Sequence, residues 1–361
     1  MPVVIPSAYK QAGVDEGRAS AATAALVTVL KSISLERPNR AILPSGHYAN
    51  VLKLGDIGVA VSIDGVGSKA IVAEELGRFD TIGVDCIAMN VNDVVCVGAE
   101  PIAVLDYISV QDPDPVMLEA IGKGLRIGAE DAGVEIPGGE VAQLPEMLRG
   151  HPDKGFDLVG ACLGVVRLDR IVTGAAISPG DVIVGLPSNG VHANGLTLAR
   201  KVLSRLDESL PNGQTVGEAL LAPTSIYVRA VRALLEADVD VHGLAHITSG
   251  SFRNLLRLSD AVGYRLDALS RLPEHPIFGL IEERGNDVSR SDMFRTFNMG
   301  CGFCCIIPPG EVSVTLKLLS SRHPGVAVIG SVTPDRGRVE IVEAGLVGTV
   351  DEPFRPLQTA G

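Results

Sequence analysis

The sequence predicts a two-domain protein of the α/β (α+β) class, and three observations carry that expectation. Its 361 residues exceed the usual size of one domain, so two folding units are expected. Apolar residues make up 46% of the chain and charged residues only 20%, the balance of a well-buried globular protein rather than a disordered one. Short apolar runs of strand length alternate with helix-length patterns in both halves, the arrangement that builds layered α/β units. A boundary near 168–178 divides a unit of residues 1–168 from one of 169–346, leaving a Pro-containing tail, 347–361, expected to be disordered from Asp351.

Charge and cysteine usage narrow the function classes. A formal net charge of −12 argues against nonspecific binding to nucleic acid or to an anionic membrane surface. The six cysteines lie in apolar runs without a framework of spaced pairs, which suits reduced thiols in a cytoplasmic protein. Cys301, Cys304 and Cys305 contain a C-x-x-C, but no second pair or nearby His completes a zinc set. The N-terminal residues lack a basic segment ahead of an apolar core, so no signal peptide is expected, and no uncharged apolar run reaches the roughly 20 residues of a membrane helix. From 79 to 122 there is no Lys, Arg or His, yet there are eight acids, Asp106 among them. If that stretch handles a phosphate, it must do so through divalent cations, because bare carboxylates repel the ligand.

Taken in order, the chain begins with an irregular segment ending on Asp15, an acid placed to cap an alanine-rich helix over 17–33. Residues 46–50 are a polar connector. The run 57–63 is a buried strand that ends on Asp64, turns through Gly65 and Gly67, and restarts at Ser68, a candidate N-cap for a helix over 69–76. The glycines let backbone N–H groups approach a ligand, and the helix N-terminus favours anions. Asp64 and Lys69 across this turn suit a metal–phosphate group, while the same pattern fits a plain strand–turn–helix corner.

Residues 80–97 read as a helix whose Asp85, Met89, Asn92 and Asp93 fall within about a 100° arc of an otherwise apolar surface. Carboxylates there require partners, either metal ions or a Lys or Arg from elsewhere in the chain. A strand over 102–110 carries Asp106, a helix spans 113–132, a short strand from 134 leads into Gly138, Gly139 and Glu140, and 156–167 is a further strand. In the second half a strand begins after 179, and a polar glycine turn holding His192 and Asn194 opens a helix over 196–206. Another helix ends near 237, and a strand over 239–248 contains His246 and Thr248. Helices over 252–258, 276–284 and 311–321 and strands over 302–307, 326–332 and 339–343 complete the unit.

Nine motifs, in order, resemble the aminoimidazole ribonucleotide (AIR) synthetase family of phosphoribosylformylglycinamidine cyclo-ligases. They are Tyr9-Lys-Gln-Ala-Gly-Val-Asp15, Asp64-Gly-Val-Gly-Ser-Lys69, the long pattern from Asp80 to Asp93, Gly98-Ala-Glu-Pro101, Gly138-Gly-Glu140, His192-Ala-Asn-Gly195, Leu221-Ala-Pro-Thr224, His246-Ile-Thr248 and Met293-Phe-Arg-Thr-Phe-Asn-Met-Gly300. The resemblance covers the chain from Tyr9 to about Glu343. It implies an N-terminal mixed-sheet domain that pairs with its mate in a homodimer, a C-terminal α/β domain, and ATP-dependent ring closure of formylglycinamidine ribonucleotide in purine biosynthesis.

It also implies site roles. Asp64, Asp85, Asp93 and Glu140 would hold Mg²⁺. Lys10, Asp64, Gly65, Gly67, Ser68, Lys69, Asn92, Gly138 and Gly139 would bind ATP. His192, His246 and Lys69 would be catalytic, and Asn194, Thr248, Arg295 and Asn298 would bind substrate. The chain departs from the family pattern at Val141, at Ser225, at Ser249 and Ser251, and in the connector 46–50. Those departures leave a second reading, a non-catalytic ATP-binding paralogue or a relative that phosphorylates another small substrate.

Overall fold

The computed structural model describes residues 7–44, 46–150 and 154–357. The first half contains α1 (Ala8–Gln11), α2 (Glu16–Lys31), β1 (Asn50–Leu54), β2 (Ile57–Gly65), α3 (Lys69–Leu76), α4 (Ile82–Val95), β3 (Glu100–Val110), α5 (Pro115–Ala132), β4 (Gly139–Gln143) and β5 (Phe156–Arg167). Local chemistry sets several of these bounds. Asp15 caps α2 by accepting from Arg18 N. Asp114 caps α5 by accepting from Val116 N and Met117 N, with Pro115 in the first turn, where its missing N–H costs nothing. The strand expected from 134 begins only at Gly139; before it, Glu135 makes a single bridge to Ala103.

These strands form a five-stranded sheet in the order β1-β2-β5-β3-β4, antiparallel except for the β3–β4 pair. β5 alternates buried residues, such as Leu158, Gly160 and Cys162, with half-buried Val159, Ala161 and Leu163. Its unbroken apolar character therefore serves two faces. One packs on α4, where a Cβ on Gly160 would come within 2.7 Å of Asn90 Nδ2, so only glycine lets the helix lie this close. The other face is open, with Ile63 73% exposed and Ile57, Leu105 and Tyr107 also exposed.

The second half contains β6 (Val182–Pro187), α6 (Leu196–Val202), α7 (Val216–Leu221), α8 (Val228–Glu236), β7 (Gly243–His246), β8 (Gly263–Leu266), α9 (Pro276–Arg284), α10 (Arg290–Thr296), β9 (Cys301–Ile307), α11 (Val312–Ser320), β10 (Ala327–Thr333), β11 (Arg338–Ile341), β12 (Leu346–Thr349) and β13 (Arg355–Pro356). Its eight strands order as β13-β12-β11-β8-β10-β6-β9-β7, and β9 is buried along its whole length. Three expectations change here. The strand expected over 239–248 shortens to β7, and the helix expected at 252–258 is a 3₁₀ segment, Ser251–Arg257. The tail is ordered as far as it is described: β13 pairs with β12, and Phe354 is buried in the core.

The apolar core does not stop at the seam between the halves. The cluster around α3, α4 and α5 continues into α6, α7 and α9 through Leu196, Leu220 and Ile281. A second core lies against the larger sheet.

Candidate active site

Strand register fixes the first group of acids. Asp64 pairs with Gly160, Gly160 with Asp106, and Asp106 with Gly139, so these four positions form one row across the sheet. Residues in register share a face, and the next residue along each strand points the other way. Asp64 and Asp106 thus both face α4, about 10 Å apart by strand spacing. Glu140 pairs with Tyr107 on the opposite, open face, where its carboxylate accepts from its neighbour Val141 N. Glu140 is not brought to Asp64 within this chain.

Asp64 ends its strand as expected. Its carboxylate accepts from Gly65 N at 2.7 Å, and its carbonyl accepts from Asn90 Nδ2 at 3.1 Å. Gly67 follows at φ 57°, a conformation that favours glycine. Ser68 departs from its expected role. Its backbone is helical, its hydroxyl makes no cap, and it accepts instead from Thr197 Oγ1. Burial, with the charge of Asp93 added, lifts the Asp64 carboxyl above its ordinary range in spite of the Gly65 bond.

Helix α4 divides its polar residues between two tasks. Asp93 is 16% exposed and accepts from His246 Nδ1 at 2.9 Å, so the described partner of His246 holds its ring by one nitrogen. The other nitrogen, Nε2, is buried with no hydrogen-bond partner among the described residues. Asp85 and Asn92 do something else. Asp85 Oδ1 receives Lys69 Nζ at 2.9 Å, Thr224 N at 2.8 Å and Thr224 Oγ1 at 2.5 Å, while Lys69 also donates to Ala222 O. Asn92 donates to Ser225 O and accepts from Tyr227 N.

The helix face read as a ligand set is therefore a clasp that grips the 222–227 loop of the second half. Its required partner is a lysine rather than a metal. Lys69 and Asp85 are both fully buried and paired through Asp85 Oδ1, while Asp85 Oδ2 is buried with no hydrogen-bond partner among the described residues. Asn92 has both ends of its amide engaged within the chain.

His192 sits at φ 62°, in the left-handed region that non-glycine residues seldom occupy. It is 2% exposed, and its Nε2 accepts from Asn189 N at 3.0 Å and Ser225 N at 3.4 Å. Asn298 braces that turn from below. It donates to Gly190 O and Val191 O and accepts from Ser188 Oγ and Gly300 N, which leaves its amide nothing for a ligand. Thr248 Oγ1 accepts from Asn254 Nδ2, Asn194 is half-buried, and the Arg295 carbonyl accepts from Gly250 N. Lys10 is exposed and paired with Asp15 at 2.8 Å.

Whether these residues fit a magnesium–nucleotide can be tested on the geometry. Among the described residues no three acidic, His or Cys side chains are arranged as a metal cage. Mg²⁺ does not require one, because it binds through one or two carboxylates together with phosphate oxygens and water. Asp64 and Asp93 fit that need: among the described residues neither carboxylate is bonded to a lysine or arginine, and burial first, with the charge of Asp93 second, makes Asp64 resist ionisation. Asp85 and Glu140 do not join them. Asp106, on the same sheet face as Asp64 and itself lifted by burial, is a further acid on the side of the sheet that faces α4. Its signal was visible as a carboxylate in the middle of an apolar strand.

The family model "AIR synthase related protein, N-terminal domain" matches residues 46–166, and "AIR synthase related protein, C-terminal domain" matches 178–343. The chain belongs to the AIR synthase related family. The phosphoribosylformylglycinamidine cyclo-ligase of Methanothermobacter thermautotrophicus is 48% identical over 93% of this chain and 97% of its own. That of Methanocaldococcus jannaschii is 47% identical over 90% and 91%.

Among solved structures, hydrogenase maturation protein HypE in complex with ATP superposes with a TM-score of 0.60 at 22% identity, covering 90% of this chain and 91% of that one. The structure titled "AaThiL complexed with AMPPCP and TMP" also gives 0.60, at 15% identity over 92% and 94%. At such identities these two establish the shared fold. Among the described residues, no helix is long and apolar enough to cross a membrane.

Proposed function

We propose that the chain is an ATP-dependent cyclo-ligase that closes formylglycinamidine ribonucleotide to aminoimidazole ribonucleotide in purine biosynthesis. The observation that carries this reading is the end-to-end likeness to cyclo-ligases at 48% identity, together with the contact of Asp93 from the first half with His246 from the second. The formyl oxygen attacks the γ-phosphorus and ADP leaves. The amidine nitrogen then adds to the activated carbon, and phosphate departs with the former formyl oxygen. Asp64 and Asp93 would hold Mg²⁺, which would supply charge neutralisation on the phosphoryl oxygens.

The remaining work falls to the chain's own groups. Asp93 orients His246 so that its free nitrogen faces inward, and Gly65 and Gly67 leave the backbone after β2 open to the nucleotide. The division into functional units at 168/169, the cytoplasmic location and the use of Mg²⁺ belong to the same proposal. Purified protein incubated with formylglycinamidine ribonucleotide, ATP and Mg²⁺ should yield aminoimidazole ribonucleotide and ADP in equal amounts. ATP binding without ring closure would instead favour a non-catalytic paralogue.

The open sheet face supports a homodimer. Ile57, Ile63, Leu105 and Tyr107 make an apolar surface of a kind that monomers seldom leave uncovered. Sedimentation should give twice the chain mass, and Ile63→Lys should shift the protein toward monomer. A monomeric parent chain would dismiss the dimer.

A further inference from the structure

Resting on that reaction, we infer that His192 serves it as a fixed, uncharged hydrogen-bond donor through Nδ1–H, directed at an oxygen that gains negative charge, and not as a proton-accepting base. The argument begins with what surrounds the ring. Backbone N–H groups can only donate, and two of them, from Asn189 and Ser225, point at Nε2. Nε2 must therefore present its lone pair, and a neutral imidazole then carries its proton on Nδ1. Protonation at Nε2 would set a third N–H against two others and break both bonds.

Neither donor can turn away to make room. The Asn189 turn is held by Asn298 through Ser188 and Gly190, and the Ser225 loop is held by the clasp of Asp85 on Thr224 and of Asn92 on Ser225. Asp85, Thr224 and Asn92 are thus positioning residues for His192. A helix face that reads in sequence as a ligand set reaches the chemistry at second hand, by fixing the tautomer of a histidine on the other half of the molecule.

Three further observations agree. The left-handed backbone at His192 is an unfavourable conformation retained at a buried position, which is where functional strain collects. Nδ1 is buried with no hydrogen-bond partner among the described residues, so the donor is committed to nothing inside the chain. Burial drives the ring well below its ordinary pKa, and the neighbouring His246, Lys69 and His275 push in the same direction. The nearby His246 has the opposite pattern, with Nδ1 on Asp93 and a free Nε2. One histidine is left with an open donor and the other with an open acceptor.

The tautomer can be read without turnover. In protein labelled with ¹⁵N-histidine, with His192 assigned by its loss in His192→Asn, the ring should remain neutral with the proton on Nδ1 from about pH 5.5 to 8.5. A proton on Nε2, or titration within that range, would overturn the inference. Kinetics give the second arm. Asn tolerates a left-handed backbone and places an amide N–H near the Nδ1 position. His192→Asn should therefore keep kcat within about tenfold of the parent and retain the parent's pH profile, whereas His192→Leu should lose about 10²–10³-fold in kcat, the usual loss for one donor to a developing oxyanion. Equal loss in both variants, with one limb of the pH profile gone, would make His192 a base. If the parent chain itself fails to close the ring, the proposed reaction falls while the tautomer reading still stands or fails on the spectrum.

Discussion

Asp85→Ala is expected to cost about 3–5 kcal/mol of unfolding free energy, the usual penalty for breaking a buried ion pair by removing one partner. The alanine strands the fully buried ammonium of Lys69 and orphans both Thr224 N–H and Thr224 Oγ1. Against a total stability of about 5–15 kcal/mol, that is the largest loss foreseen for a single substitution in this chain. Urea unfolding followed by circular dichroism measures it, and an unchanged midpoint would refute the clasp.

The pH dependence carries its own sign. Burial already pulls Lys69 below its ordinary pKa, and Asp85 works in the opposite direction. With Asp85 gone, the folded chain binds fewer protons than the unfolded chain over a wider window below about pH 10.4, so the variant should gain stability as pH rises through it. The double variant Lys69→Met/Asp85→Leu removes both charges and should be less destabilised than Asp85→Ala.

That pair also marks where sequence reasoning reached its limit. An acid on an apolar helix announces that it needs a partner, but nothing local says which. Asp85 finds Lys69 16 residues away and Thr224 139 residues away. The answer is a tertiary fact. Asp93 lies on the same arc of α4, yet it meets His246 of β7 and belongs to the proposed metal–nucleotide site. A helical-face pattern could group these residues and could not divide them between a clasp and a site.

Features with local causes were legible. The Asp15 cap, the strand Phe156–Arg167 and the helix Lys69–Leu76 follow from residues adjacent in the chain. Misreadings arose where tertiary contacts override local signals. Ser68 has the right side chain for a cap but spends its hydroxyl on Thr197, and the two-residue strand Arg355–Pro356 exists because β12 offers an edge and Phe354 finds the core. Glu140 follows a glycine pair much as Asp64 precedes one, which suggested a shared role. Register decides otherwise, because one step along a strand reverses the face.

The second large effect is expected for Asp93→Asn, which should lower kcat by about 10³–10⁴-fold while leaving the urea midpoint near that of the parent. The substitution is nearly isosteric at a partly exposed position, so folding has little to lose. Function loses twice. The amide carries no charge for a divalent cation, and if its NH₂ end meets His246 it forces the ring's proton from Nδ1 to Nε2, which removes the acceptor that Asp93 had left open. Asp64→Asn separates the two losses, because Asp64 belongs to the same proposed metal site without holding the histidine. It should raise the Mg²⁺ concentration needed for half-maximal rate and restore much of the turnover at saturating metal, whereas Asp93→Asn should remain slow at any concentration. Residues that act as one unit are not additive, so Asp93→Asn/His246→Gln should be hardly slower than the slower of its two single variants. Full additivity would mean that Asp93 and His246 act separately, and the 2.9 Å contact between them would then be structural only.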